Sequence, residues 1–133
     1  MKKWLSLIAL FLLAISLSAC GGPPQILVSE ASVALGDVVN GEIVTREITV
    51  QNVGKSDLII EAVSTSCGCT EAAVAPMRIP SDGSGTLTIR FDSGAHGPDL
   101  TGQLIRQVFI ATNDPEQPET VVELEANILP PSK

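Results

Sequence analysis

The sequence predicts an all-β domain, and three observations carry this prediction. From Gln25 onward, apolar residues alternate with polar residues at a period of two, as they do in half-buried strands. Clusters of Gly, Asn, Asp and Pro separate the alternating runs and are typical of tight turns. No long stretch after residue 24 has the period of an amphipathic helix. About seven short strands within residues 25–129 therefore favour an Ig-like antiparallel β-sandwich.

The clearest strand is Thr86–Asp92, in which a leucine, an isoleucine and a phenylalanine occupy every second position. Pro76 and Pro80 restrict Ala72–Ile79 to a short edge strand, because proline cannot donate to a hydrogen-bonded ladder. Asn40-Gly41 is predicted to be a turn. The other predicted strands are Gln25–Ser29, Val33–Leu35, Val44–Asn52, Leu58–Ser64, Gln103–Thr112 and Thr120–Ile128.

Residues 1–19 have the three-part layout of a secretory signal. Met1-Lys2-Lys3 is basic, Trp4–Leu17 is apolar, and small residues precede Cys20. The apolar run is shorter than the roughly 20 residues that a membrane-spanning helix needs. It is followed at once by Gly21–Pro24, which breaks a helix. We therefore expect export, cleavage and an extracytoplasmic location.

Leu17-Ser18-Ala19-Cys20 resembles the lipobox of bacterial lipoproteins. The resemblance implies that fatty acyl chains such as palmitate are attached at Cys20 and that residues 20–24 form a tether to the bacterial membrane. The folded domain would then be residues 25–129, with a tail at 130–133. Each buried acyl CH₂ contributes about 0.8 kcal/mol, so two or three chains anchor a protein stably. The alternative is an ordinary cleaved signal that happens to precede a cysteine.

Charge and aromatic content exclude several classes of function. The formal net charge is −7, and loss of Lys2 and Lys3 with the signal would make it two units more negative. Such a charge disfavours nucleic acid and anionic lipid surfaces. After the signal, Phe91 and Phe109 are the only aromatic residues, and both lie in apolar strand patterns. The stacking surfaces of sugar sites and single-strand nucleic-acid sites are therefore not expected.

A series of short motifs, in chain order, carries a family resemblance. The most specific is Ser66-Cys67-Gly68-Cys69-Thr70, and the others are Gly36–Gly41, Val50–Gly54, Leu58–Ile60, Ile89–Asp92 and Ala111–Pro115. Together they resemble the bacterial domain-of-unknown-function family 1573, which is similar to hydin-type and major-sperm-protein-type Ig-like domains. The resemblance implies an Ig-like fold and an exported setting. It implies no established activity.

Cys67 and Cys69 are the two thiols available for chemistry, since Cys20 belongs to the signal. In an extended segment, residues i and i+2 face the same way, so the two sulfurs would lie side by side. A disulfide between them is compatible with the reach of the chain if Gly68 shortens the span. The first interpretation is therefore structural, either packing at a strand end or a bond that fixes the turn. An oxidising compartment favours the bond.

The second interpretation is a soft-metal site. Two thiolates on one face suit Cu(I) or, with further ligands, Zn. His96, the only histidine, and Met77 are the candidate extra ligands. Each has an ordinary alternative role, His96 as a solvated loop residue and Met77 as a gap-filler. No cofactor is expected otherwise, and Cu(I) is the alternative.

The third interpretation is thiol–disulfide exchange. Attacking cysteines usually lie at a helix N-terminus or beside a cation. The sequence shows neither near Cys67, and Glu71 would disfavour a neighbouring thiolate.

No hydrolytic centre is expected either, because a Ser-His-Asp triad would depend on His96 and no Gly-x-Ser-x-Gly elbow is present. Asp92, Asp99 and Asp114 are candidate Ca²⁺ ligands, although spaced loop carboxylates are usually solvated.

The sequence therefore predicts a lipid-anchored extracytoplasmic Ig-like domain that binds another envelope protein or serves in assembly. Open sheet edges would provide the contacts. The alternative is a Cys67/Cys69 thiol site for Cu(I) binding or disulfide exchange. No enzymatic reaction is indicated, and no nucleic-acid partner is expected.

Overall fold

The structure is a computed structural model that describes residues 21–133. The predicted signal peptide and Cys20 lie outside the described residues. The described part of the chain contains nine strands, whereas about seven were predicted. They are β1 (Ile26–Val28), β2 (Ser32–Val39), β3 (Ile43–Asn52), β4 (Leu58–Thr65), β5 (Thr70–Ala75), β6 (Arg78–Ile79), β7 (Ser84–Asp92), β8 (Gly102–Thr112) and β9 (Glu119–Leu129).

The strands form two sheets that pack face to face. One sheet has the order β1-β3-β7-β5, and the other has the order β2-β9-β8-β4-β6. All neighbouring pairs are antiparallel except β2 and β9. The predicted all-β, Ig-like sandwich is confirmed. Within residues 21–133 there is no helix that is long and apolar enough to cross a membrane.

The β2 strand is longer than the predicted strand Val33–Leu35, and the predicted turn at Asn40-Gly41 follows its end. The strand continues to Val39, because a β-bulge between Ala34 and Gly36 absorbs one extra residue. Gly36 has a φ of 72°, a conformation that favours glycine. The glycine therefore lies at a bulge inside a strand.

The predicted edge strand Ala72–Ile79 is divided in two by Pro76. The first part, β5, lies at the edge of the four-stranded sheet, and the second, β6, lies at the edge of the other sheet. The Ala75-Pro76 bond between them is cis. Proline thus confines both pieces to edges, as expected.

The apolar faces of the two sheets enclose the core. The larger cluster fills the middle of the sandwich and includes Val50, Leu58, Leu87, Val108 and Val122, all fully buried. A second cluster lies at one end and contains Val38, Cys69, Phe91, Ala126 and Ile128. The two clusters follow directly from the period-two alternation, since every second side chain of the long strands points inward.

The N-terminal segment is docked at the opposite end from the second cluster. Pro24 is buried, and the Pro23 carbonyl accepts a hydrogen bond of 3.0 Å from the Lys55 backbone N–H. Gly54 permits this close approach, because a Cβ there would overlap Gln25 N and Pro23 O. Of the predicted 20–24 tether, the two prolines are therefore part of the folded domain.

Candidate functional site

Cys67 and Cys69 form a disulfide in the connection between β4 and β5. Their Cα atoms are 5.3 Å apart, within the usual range for a disulfide. Gly68 closes the span without a positive φ, and a Cβ added at Gly68 would meet nothing within 4 Å. The interpretation as a bonded pair is therefore the one that the structure adopts, and it does not require glycine between the cysteines. We call residues 67–69 the cystine loop.

Two threonines hold the cystine loop at the ends of β4 and β5. The Thr65 hydroxyl lies 2.9 Å from the carbonyl oxygens of Cys67 and of Thr70 and donates its single proton between them. The Thr70 hydroxyl lies 3.5 Å from the Cys67 sulfur and 3.7 Å from the Cys69 sulfur. Because bonded sulfurs carry no proton, Thr70 is the donor. The threonines thus cross-brace the loop from both sides.

The two sulfurs differ in exposure. Cys69 is 3% exposed and packs in the second core cluster beside Phe91. Cys67 is half-buried and packs against the border of that cluster. A molecule that approaches from solvent therefore reaches Cys67 first.

Arg106 lies against the buried sulfur. Its Nε donates to the Cys69 Sγ at 3.4 Å, and its Nη1 donates to the Ile105 carbonyl at 2.9 Å. Within residues 21–133 Arg106 forms no ion pair, since the two salt bridges there join Arg78 to Asp57 and Arg90 to Glu71. A guanidinium without a carboxylate partner is thus directed at one atom of the disulfide.

The β4–β8 ladder brings Arg106 to this position. Ser66 N donates to the Gln107 carbonyl at 2.9 Å, and Gln107 N donates to the Ser66 hydroxyl at 2.9 Å. Arg106 is next in β8 and shares an inward face with Val108 and Ile110, which are both fully buried. Sequence reasoning missed Arg106. The signal was a cation in phase with the buried residues of the strand.

His96 approaches the sulfurs from the loop between β7 and β8. A ring nitrogen of His96 and the sulfurs of Cys67 and Cys69 all lie within 4.8 Å of one another, and the histidine itself is exposed. The buried Asn40 side chain holds this loop by donating at 2.9 Å to the carbonyls of Gly97 and of Leu100. His96, a candidate from the sequence, is therefore brought to the cysteine pair.

Met77 is not brought to the pair. Its carbonyl accepts a hydrogen bond from Ile60 N at the start of β4, whereas the cystine loop follows the end of that strand. Five steps from Ile60 to Thr65 correspond to about 17 Å. The interpretation of Met77 as a ligand of the same metal ion is therefore wrong, because a strand separates it from the sulfurs.

The candidate Ca²⁺ ligands are also separated. Asp92 lies beside the cystine loop, where its carboxylate accepts from Gly94 N at 3.0 Å. Asp114 lies near the docked N-terminus, where its carboxylate accepts from Ile26 N at 3.0 Å. The two carboxylates are at opposite ends of the sandwich and cannot hold one ion together.

Glu71 is directed away from the disulfide. In β5 it pairs with Arg90 of β7, 3.5 Å away, on the outer face of the sheet. The expected repulsion of a Cys69 thiolate by Glu71 is thus offset by Arg90. The cation that the sequence did not reveal, Arg106, lies on the inner side.

The strand that leaves the cystine loop has an open edge. Cys69 O accepts from Asp92 N at 2.8 Å, which fixes the alternation of the β5–β7 ladder. In that alternation Glu71 and Ala73 bond to β7, while the backbone N–H and C=O groups of Ala72 and Val74 point away from the sheet. Among residues 21–133 these outward groups have no hydrogen-bond partner, so a row of free backbone groups lies beside the disulfide.

These features define an Ig-like β-sandwich domain with a short-range disulfide at one end. The chain belongs to the family described as "Protein of unknown function (DUF1573)", whose model matches residues 26–128. The resemblance seen in the sequence motifs is confirmed. No curated protein matches the sequence significantly.

Solved structures share the fold. A protein of unknown function from Porphyromonas gingivalis W83 is 20% identical, with a TM-score of 0.69, and the match covers 84% of this chain and 50% of that one. This chain thus spans half the length of that protein. The PapD-like domain 7 of human CEP192 is 12% identical, with a TM-score of 0.62 and coverage of 86% and 93%. The E. coli chaperone DraB is 12% identical, with a TM-score of 0.56 and coverage of 79% and 55%.

Proposed function

We propose that this protein is a lipid-anchored module of the bacterial envelope that binds another envelope protein by adding a strand to the edge of β5. The observation that carries the proposal is the row of outward backbone groups at Ala72 and Val74. An extended segment that pairs with such an edge gains main-chain hydrogen bonds without any rearrangement of the sandwich. The β5–β7 register is regular over all six residues, so the edge is straight enough to template a partner.

The other edges are less suited to strand addition. β1 has only three residues, and β6 has two. β2 is longer, but the bulge between Ala34 and Gly36 interrupts it, and bulges are a common protection of edges. β5 has no bulge, and its exposed side chains at Ala73 and Ala75 are small. Among the described strands, β5 is therefore the favoured docking edge.

The proposed lipid anchor agrees with this choice. Lipidation at Cys20 would hold the end of the sandwich where Pro23 docks against Lys55. The cystine loop is at the other end of β7, about 30 Å away over the nine steps from Gly83 to Asp92. The loop and the distal part of β5 would then face away from the membrane. A partner in the aqueous compartment could reach them.

The proposed occupant is an extended segment of a second envelope protein with basic flanks. The acidic balance of the chain, 15 Asp and Glu against 8 Lys and Arg, favours a basic partner. A structural neighbour supplies a parallel, since DraB is a chaperone. The parallel supports a protein as the partner and does not identify it.

A photo-crosslinking amino acid at Ala73 tests the proposal in cells that make the full chain. Ala34 provides the matched control, because it is also an exposed alanine in an edge strand. We expect a discrete product from Ala73 and none from Ala34. In the background of Ala72→Pro, which removes one outward N–H and spares the bonds to β7, the product should fall about tenfold.

The proposal fails if Ala34 and Ala73 give the same products, or if Ala72→Pro leaves the Ala73 product unchanged. Denaturant unfolding of Ala72→Pro shows whether the variant is folded. If it is not, the comparison of Ala73 with Ala34 decides alone.

A further inference from the structure

We propose that the Cys67–Cys69 disulfide is redox-active and accepts electrons from a dithiol protein of the same compartment, with Arg106 stabilising the sulfur that leaves. This inference is independent of the partner strand at β5. Three structural facts carry it: the sulfurs differ in exposure, a guanidinium contacts the buried sulfur, and an imidazole lies over both.

The difference in exposure determines which sulfur is attacked. The half-buried Cys67 is accessible to an incoming thiolate, whereas Cys69 is 3% exposed within the second core cluster. Disulfide exchange proceeds by attack on one sulfur with departure of the other. Cys67 is therefore the attacked atom, and Cys69 is the leaving group.

The position of Arg106 suits a leaving group at Cys69. As the bond breaks, negative charge develops on the Cys69 Sγ, and the Arg106 Nε is already 3.4 Å from that atom. A hydrogen bond to a charged acceptor is stronger than one to a neutral acceptor, so the contact stabilises the thiolate more than the disulfide. Stabilising the reduced form makes a disulfide a better oxidant. The lack of a carboxylate partner within residues 21–133 leaves the guanidinium available for this role.

Two further groups surround the developing charge. The Thr70 hydroxyl is 3.7 Å from the Cys69 Sγ and can turn its proton toward it. A nitrogen of His96 lies within 4.8 Å of both sulfurs, on the solvent side. The site therefore combines a cation on the inner side with donors around it, the environment in which reactive cysteines are found.

The exchange balances in two steps. A thiolate of the dithiol protein attacks the Cys67 Sγ, so that a mixed disulfide forms, the Cys67–Cys69 bond breaks, and its electron pair stays on the Cys69 Sγ. The second thiolate of the same protein then attacks its own mixed-disulfide sulfur and releases Cys67 as a thiolate. The partner dithiol has lost two electrons and two protons and has become a disulfide. The Cys67/Cys69 pair has gained the two electrons, and the protons have passed through solvent.

Opening the bond leaves the fold intact. The disulfide closes a loop with a sequence separation of only two residues, and the larger core cluster does not include either cysteine. The Thr65 hydroxyl still holds the carbonyls of Cys67 and Thr70 when the bond is open. The reduced pair thus remains in the same place, ready to be reoxidised.

The test measures the redox equilibrium of the folded full chain, purified with its lipid in detergent. The protein is equilibrated in glutathione buffers of graded ratio, the thiols are alkylated, and peptide mass spectrometry reports Cys67 and Cys69 separately from Cys20. Dithiothreitol serves as the dithiol probe for the rate of reduction. We expect the pair to be reduced without denaturant. For Arg106→Gln we expect the equilibrium constant to shift toward the disulfide, and the rate to fall, by about tenfold each.

Two variants separate this role from a structural one. Arg106→Lys keeps the positive charge, so its equilibrium constant and its rate of reduction should both be close to those of the parent. Arg90→Gln removes an arginine that pairs with Glu71 across the neighbouring strands and does not contact a sulfur, so it should change neither quantity.

If the Cys67–Cys69 disulfide is reduced only after the domain is unfolded in denaturant, the proposal is wrong and the bond is purely structural. Equal effects of Arg106→Gln and Arg90→Gln would overturn the role of Arg106. If the reduced pair does not exchange with a dithiol and instead binds one equivalent of Cu(I) in a manner lost in His96→Ala, a metal site replaces the proposal.

Discussion

The buried Asn40 side chain donates at 2.9 Å to the Gly97 carbonyl, and this bond fixes the loop that carries His96. A second bond of 2.9 Å reaches the carbonyl of Leu100. The loop is also held through Ser93, whose hydroxyl bonds the carbonyls of Val39 and Glu42. Asn40, in the β2–β3 turn, thus helps to hold His96, the only histidine of the sequence, near the disulfide. More than fifty residues separate Asn40 from His96 in the sequence.

Asn40→Ala should therefore loosen the His96 loop. Loss of two part-buried hydrogen bonds should cost about 1–3 kcal/mol in the free energy of unfolding. Denaturant unfolding measures the loss, and faster amide exchange in residues 94–101 shows that it is local. Asn127→Ala is the control, because the Asn127 side chain makes a single exposed hydrogen bond, to Asp37, and its loss should cost less than about 0.5 kcal/mol. Equal costs for the two variants would contradict the role of Asn40.

Removal of the disulfide by the double change Cys67→Ala and Cys69→Ala should lower stability without unfolding the domain. A loop this short restricts the unfolded chain by only about 1.5 kcal/mol, and the vacated volume near Phe91 adds to the loss, for a total of about 2 kcal/mol. Denaturant unfolding of the variant should resemble that of the parent in reductant. An unfolded variant would show that the bond is essential to the fold.

The period-two alternation predicted the sandwich well because two packed sheets demand it. Every second residue of β7, from Gly85 to Phe91, is buried, as the sequence pattern indicated. Family motifs outside the cystine loop also have a structural explanation. The Asn52 side chain, 1% exposed, bonds the carbonyls of Ser56 and Ile79 and accepts from Gly54 N. Asn52 therefore has a structural role, and its hydrogen bonds explain why the motif Val50–Gly54 occurs.

The site was harder to predict because its parts come from distant strands. Local pattern identified the Cys67/Cys69 pair, and the lone His96 was a candidate on chemistry alone. The sequence around His96 and around Met77 does not show which of the two lies near the sulfurs. That depends on the fold, which places Met77 at the start of β4 and His96 near the end of β4. Arg106 was missed because residues 103–112 were predicted as a strand without assignment of its two faces, and the phase of the strand places Arg106 among inward residues. A cation at an inward position is the signal that sequence reasoning should have used.

The lipid anchor predicts a defined mature N-terminus. In bacteria that make the full chain, mass spectrometry should find residue 20 as the first residue, carrying acyl groups, and the protein should fractionate with membranes. Cys20→Ser should abolish both properties, whereas Cys67→Ser should leave both unchanged. An unacylated N-terminus in the parent would remove the anchor from the proposed function, and with it the orientation of the cystine loop away from the membrane.

Gly54→Ala should undock the N-terminal segment. The new Cβ would overlap backbone atoms of Pro23 and Gln25, which cannot move without breaking the bond from Lys55 N to the Pro23 carbonyl. We expect a loss of about 1–3 kcal/mol in unfolding free energy. Gly68→Ala is the matched control, because its Cβ would enter open space, and it should change stability by less than about 0.5 kcal/mol. A neutral Gly54→Ala would show that the segment does not need this close approach.

Asp114 should make stability depend on pH in the acid range. Burial raises the pKa of its carboxyl, but hydrogen bonds from the backbone N–H groups of Ile26, Glu116 and Gln117 outweigh burial and lower the pKa below the ordinary value of 3.8. Because the folded pKa is the lower one, the contribution of Asp114 is complete above the unfolded value and is lost as the pH falls through the folded value. Stability should therefore decline below about pH 4.

Asp114→Asn tests this directly, since the amide is similar in shape and cannot ionise. At pH 7 the variant should be less stable than the parent by about 1–3 kcal/mol, because the charge-assisted bonds are weakened. Urea unfolding at a series of pH values from 7 to 3 should show that the difference shrinks in acid, as the parent loses the charge that the variant never had. Asp99→Asn, at an exposed loop position, should follow the parent throughout. Parallel profiles for parent and Asp114→Asn would mean that the three backbone bonds do not favour the ionised carboxylate.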